Sequence, residues 1–88
     1  QKIILSYSCH HLESISQAEK LKVDLVFCSP IFASKSHPNQ KPIGIDGLKD
    51  FTKTTSLPVY ALGGIDEKNI KLLKNTNISG IGGISMFI

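Results

Sequence analysis

Apolar residues in this chain fall into short runs, separated by stretches in which they recur every three or four positions. The runs Lys2 to Ser8 (KIILSYS), Val23 to Ser29 (VDLVFCS), Pro58 to Leu62 (PVYAL) and Gly80 to Ser85 (GIGGIS) predict four strands. The third, apolar and partly β-branched, suits a strand buried on both faces. Between the first two runs, His11 to Lys22 carries Leu12, Ile15, Ala18 and Leu21 at helical spacing, with Glu13, Glu19, Lys20 and Lys22 outside. Asp46 to Thr55 predicts a shorter helix with Leu48 and Phe51 inward. Glu67 to Asn75 predicts another, with Ile70 and Leu73 inward. Pro30 to Gly44 shows no period and holds serines, lysines, His37, Pro38 and Pro42, so it reads as a long loop.

The resulting order, β-α-β-α-β-α-β, predicts an α/β unit with a parallel sheet and right-handed crossovers. Both edges of a four-stranded sheet of this kind would be apolar and unpaired, a hazard in a free monomer. The first strand has no helix before it and the last has none after it. We therefore expect residues 1–88 to be a single α/β unit that forms half of a larger closed sheet. Completion would come from a missing N-terminal half or from a second copy in a homo-oligomer.

Composition narrows the class. The 88 residues are 41% hydrophobic and 19% charged, the balance of a small globular domain with a modest core. No run is long enough to cross a bilayer, and QKIILSYS lacks the apolar centre of a signal peptide. The net charge is +3, and its ten basic residues are all scattered lysines. Without aromatic interleaving they make no nucleic-acid surface. Cys9 and Cys28 lack metal-ligand spacing and suit buried free thiols in a cytoplasmic protein.

The stretch from Leu57 to Ile70, LPVYALGGIDEKNI, carries the clearest chemistry. Gly63 and Gly64 follow the third strand, permit positive φ and leave the backbone bare. Asp66 can cap the next helix, flanked by Ile65 and Ile70 as a staple. Amides at a strand end and a helix start suit a phosphate or carboxylate. A plain turn between strand and helix is the competing reading of the same residues.

Four landmarks in order give the chain a family likeness. Ser6-Tyr7-Ser8-Cys9-His10 is similar to G-x-S-x-H, and Ser29-Pro30-Ile31-Phe32-Ala33-Ser34-Lys35-Ser36 to G-P-x-[FY]-x-T-x-[TS]-K. Gly44 to Leu48 follows like G-x-x-x-L. Ala61-Leu62-Gly63-Gly64-Ile65, with Asn69, is similar to GGI-x-x-x-N, and Gly80-Ile81-Gly82-Gly83-Ile84-Ser85 to G-[VI]-[AS]-x-[IV]-S. With these motifs the chain resembles the C-terminal half of the thiamine phosphate synthase and TenI family, which are (β/α)8 barrels. The resemblance implies that the four strands correspond to strands five to eight of such a barrel.

The resemblance also implies roles. Gly63, Gly64, Ile84 and Ser85 would surround a thiazole phosphate, since loops after the last two strands of these barrels commonly hold phosphate. Ser8 would face the pyrimidine, or else cap the following helix. His10 matches the histidine to which TenI-type enzymes are thought to entrust proton transfer, a task that suits an imidazole. His11 has no match and reads as solvated. Ser34 and Ser36 take the places of hydroxyl residues that can bond a diphosphate. His37 stands where the synthases carry a lysine, and Lys35 and Lys41 are near enough in sequence to replace it.

Three functions follow as expectations. As a synthase, the completed barrel would join hydroxymethylpyrimidine diphosphate to thiazole phosphate, in a reaction that needs Mg²⁺ for the departing diphosphate. No acidic cluster for that ion is evident here: Asp46, Asp50, Asp66 and Glu67 fall where capping and helix faces explain them. No metal or other cofactor is expected within this chain itself, and Mg²⁺ ligands would have to come from an N-terminal half. As a TenI-like thiazole tautomerase, the protein would need His10 and no metal. As a non-catalytic half-barrel, it would bind phosphate or serve assembly alone. The expected partners are the small phosphorylated thiazole and pyrimidine, with no nucleic acid and no membrane.

Overall fold

A computed structural model describes residues 3–33 and 41–82 of the chain. Its elements run β1 (Ser6–Cys9), α1 (Glu13–Lys20), β2 (Leu25–Cys28), α2 (Gly44–Thr54), β3 (Val59–Leu62), a 3-10 turn at Ile70–Leu73, and β4 (Gly80–Gly82). The four strands form one sheet in the order β1-β2-β3-β4, and all three pairings are parallel. The expected alternation and parallel sheet are therefore present.

The two faces of the sheet differ. Tyr7, Cys9, Val26, Cys28, Val59, Ala61 and Ile81 point to one side, where they pack with Ile15 and Ala18 of α1 and with Leu48 and Phe51 of α2. The register sets Cys9 beside Cys28 and Cys28 beside Ala61, so small residues line the middle of this core. The opposite face carries Ser6, Ser8, Leu25, Phe27, Tyr60, Leu62, Gly80 and Gly82, all half-buried or exposed. Phe27 and Tyr60 lie tilted against each other there, with ring centroids 5.7 Å apart. Gly80 is small because Tyr60 lies over it: a Cβ on Gly80 would sit 2.5 Å from that ring. The third strand, expected to be buried on both sides, is thus buried on one among the described residues.

Several element boundaries differ from the sequence pattern. The first strand begins at Ser6, and Ile3, Ile4 and Leu5 are exposed (Lys2 lies outside the described residues). Pairing stops there because Asp24 closes the strand start, its carboxylate accepting from the Leu5 N–H while its own N–H donates to the Leu5 carbonyl. Helix α1 buries Ile15 and Ala18, but Leu12 and Leu21 sit at its two caps and face solvent. Helix α2 starts at Gly44, two residues early, with Leu48 and Phe51 inward as expected. The largest departure is the expected helix over Glu67 to Asn75, of which only the four-residue 3-10 turn forms. Local side chains compete for its backbone. Asp66 does cap, accepting from the N–H groups of Lys68 and Asn69. The Thr76 hydroxyl takes the Leu73 carbonyl, and Asn75 and Asn77 adopt positive φ. The fourth strand is described only to Gly82.

Candidate functional site

The C-terminal ends of the strands form one rim, where parallel α/β sheets place their ligand-binding loops. His10 follows β1 directly, and its Nδ1 lies 2.6 Å from the Ser29 carbonyl oxygen at the end of β2. A carbonyl can only accept, so Nδ1 carries the proton and donates. The bond fixes the orientation of the ring and leaves Nε2 outside it. The Ser29 N–H donates in turn to the Cys9 carbonyl at 3.2 Å, so the sheet ladder extends up to the histidine.

The rim continues from β2 to β3 through backbone bonds. Ile31 N–H donates to the Leu62 carbonyl and Phe32 N–H to the Gly63 carbonyl, at 3.1 and 3.2 Å. Gly63 and Gly64 both have positive φ, at 99° and 71°. A Cβ on Gly64 would lie 2.6 Å from the Phe32 carbonyl oxygen, and one on Gly63 2.9 Å from Pro30 Cα. These glycines are required by the loop packed against them, a reason that does not depend on a ligand. The Asn69 carboxamide locks the same turn, donating to the Gly64 carbonyl and accepting from the Asp66 N–H. Because the following segment is a four-residue 3-10 turn, the helix dipole expected to favour an anion at Gly63 and Gly64 is not there.

A cleft of about 220 Å³ opens at the β1–β2 part of the rim, lined by His10, His11, Pro30 and Lys41. The structure therefore gathers His10 with His11 and Lys41, residues from the turn before α1 and the loop before α2. Ser8 is exposed on the uncovered sheet face, in register with Phe27, and does not line the cleft. Gly63 and Gly64 sit farther along the rim. Ser34, Ser36, His37, Ile84 and Ser85 lie outside the described residues. His11, read as solvated from sequence, is exposed but also lines the cleft.

Beneath this rim Cys9 and Cys28 are buried free thiols. Burial pushes the Cys9 thiol up, and burial together with neighbouring Cys9 pushes Cys28 up to about 12. Both stay protonated near neutrality, which suits packing rather than nucleophilic attack. Among the described residues no three of His, Cys, Asp or Glu lie close enough to hold a metal ion. No helix among them is long and apolar enough to cross a membrane.

A family model described as thiamine monophosphate synthase matches residues 1–87. Over 85 residues the chain is 46% identical to the putative thiamine-phosphate synthase 2 of Aquifex aeolicus, spanning 97% of this chain and 46% of that protein. Over 83 residues it is 42% identical to the thiamine-phosphate synthase of Vibrio campbellii, spanning 93% of this chain and 41% of that one. Among solved structures, thiamine phosphate pyrophosphorylase from Pyrococcus furiosus superposes with a TM-score of 0.82 at 30% identity, covering 94% of this chain and 39% of that chain. The chain thus spans less than half the length of each of these proteins.

Proposed function

The chain belongs to the thiamine monophosphate synthase family, and on that premise we propose that it supplies the thiazole-phosphate half of a thiamine phosphate synthase barrel. The observation that carries the reading is the rim itself: His10, Gly63 and Gly64 stand at the strand ends of a parallel sheet shared with a solved relative. The uncovered face, with Phe27 and Tyr60 at its middle, becomes the barrel interior once a second half closes over it. That half is a further part of the same protein or a second copy. The names of the relatives favour the synthase over a thiazole tautomerase or a non-catalytic half-barrel.

In the reaction, the bond from the pyrimidine methylene carbon to the diphosphate oxygen breaks. The thiazole nitrogen supplies the electron pair for the new carbon–nitrogen bond, and diphosphate leaves. Gly63 and Gly64 shape the turn beside the thiazole phosphate, and Ile84 and Ser85 complete its cradle. Ser8 faces the pyrimidine from the barrel side of β1. Ser34, Ser36 and His37 belong to the loop that meets the diphosphate. His10, with its Nδ1 proton held by Ser29, presents Nε2 to the substrates. Mg²⁺ serves this chemistry by stabilising a departing diphosphate. The described residues do not fit the ion, so we assign its ligands to the portion of the relatives beyond the match.

The test is turnover by the full-length protein given both substrates and Mg²⁺. We expect thiamine phosphate, with kcat/KM reduced roughly tenfold or more in Ser8→Ala and in His10→Gln. No product from a folded protein, or wild-type rates in both variants, would reject the reading.

A further inference from the structure

We propose that a methyl-sized notch over Gly82 lets this chain bind a thiazole phosphate whose ring alkyl group is one carbon longer than that of thiazole phosphate itself. Gly82 stands where the motif G-[VI]-[AS]-x-[IV]-S carries Ala or Ser, so the chain lacks a side-chain carbon that the motif places there. The backbone at Gly82 has no positive φ that would demand glycine. A Cβ on Gly82 would meet Phe27 Cε1 at 3.4 Å and Leu62 Cδ1 at 3.5 Å. These distances lie close to the ~3.5–4.0 Å optimum between carbons. The space therefore suits one further carbon, and the two atoms that wall it are apolar.

The register of the sheet builds the notch and sets its place. Phe27 is paired with Tyr60, and Tyr60 with Gly80. Tyr60 occupies the level of Gly80, where a Cβ would sit 2.5 Å from its Cε2. The Phe27 ring rests against Tyr60 at an interplanar angle of 52° and reaches Gly82, so it leans toward the C-terminal ends of the strands. Leu62 is the register partner of Gly82, and the residue after Leu62 is Gly63. The notch thus lies directly below the turn that is proposed to hold the phosphate. A thiazole phosphate anchored at that turn brings its ring over the end of the sheet. An alkyl substituent is the part of the ring that the notch favours, because a polar atom set there would be left without a partner.

The inference rests on the proposed synthase reading for the identity of the ligand, while the binding is testable without turnover. The probes are thiazole phosphate and its homologue with one more methylene in the ring alkyl group, each titrated calorimetrically into the full-length protein. Wild type should bind the homologue no more weakly than the parent, and up to about fourfold more tightly for one more buried methylene. Gly82→Ala fills the notch and should lower the ratio of homologue to parent affinity about tenfold. Adding Phe27→Leu removes one wall and should recover most of that ratio. Circular dichroism checks that each variant is folded. Weaker binding of the homologue than of the parent by wild type, an unchanged ratio in Gly82→Ala, or no recovery in the double variant overturns the notch. A ratio that follows Gly82 in a protein that forms no thiamine phosphate overturns the synthase reading and leaves the notch standing. Binding of neither ligand by the folded protein overturns both.

Discussion

Along one rim of the sheet, the loops after β1 and β2 present side-chain nitrogen from His10, His11 and Lys41, whereas the turn after β3 presents glycine backbone. The first region is exposed, and its cleft is built from two loops, the turn before α1 and the loop before α2. The second is stitched into the fold through Phe32, Asn69 and Asp66. The difference teaches that nearness to a ligand and importance to folding are independent properties. Substitutions at the exposed histidines and Lys41 should leave the fold intact, while substitutions at the glycine turn should disturb the fold first.

Gly64→Val breaks this comparison most severely if it is wrong. With φ at 71° and a Cβ forced 2.6 Å from a carbonyl oxygen, the variant should lose more than ~2 kcal/mol of stability in a denaturant titration. His11→Ala, at the other end of the rim, should stay within ~0.5 kcal/mol of wild type. Equal stabilities for the two variants would erase the distinction. Asn69→Ala removes the two hydrogen bonds that lock the glycine turn and should cost ~1–3 kcal/mol, read from the same titration.

A smaller effect is expected from the thiols under the rim. Burial, with Cys9 alongside, raises the Cys28 thiol from its ordinary value of 9.0 to about 12. The folded state therefore holds this proton more tightly than the unfolded state does. That stability is complete below pH 9 and is lost as pH climbs toward 12. Unfolding midpoints measured across this window should fall more steeply for wild type than for Cys28→Ala. Parallel slopes would assign the alkaline loss to other groups, such as the lysines.

The sequence pattern carried the larger architecture because it depends on local period. Ile15, Ala18, Leu48 and Phe51 repeat as a helix repeats, and the four apolar runs alternate with them. What escaped the pattern depends on contacts between distant residues. The reason for Gly64 lies in the carbonyls of Phe32 and Ala33, about thirty positions earlier. The helix after Asp66 shrank to a 3-10 turn because Asp66, Asn69 and Thr76 each engage nearby backbone. The cleft could not be read either, since it joins His10 and His11 of one loop to Pro30 and Lys41 of another. Ser34, Ser36, His37, Ile84 and Ser85 fall outside the described residues, so their roles rest on the motifs that named them.

The central proposal is that the glycine turn of Gly63 and Gly64, with Ile84 and Ser85 of the family motif, binds thiazole phosphate. Phosphorus NMR of the full-length protein, titrated with thiazole phosphate, tests it directly. The account predicts that the thiazole phosphate resonance shifts on binding and that Ser85→Ala weakens this binding while His11→Ala leaves it unchanged. An unshifted resonance, or equal weakening by the two variants, would contradict it.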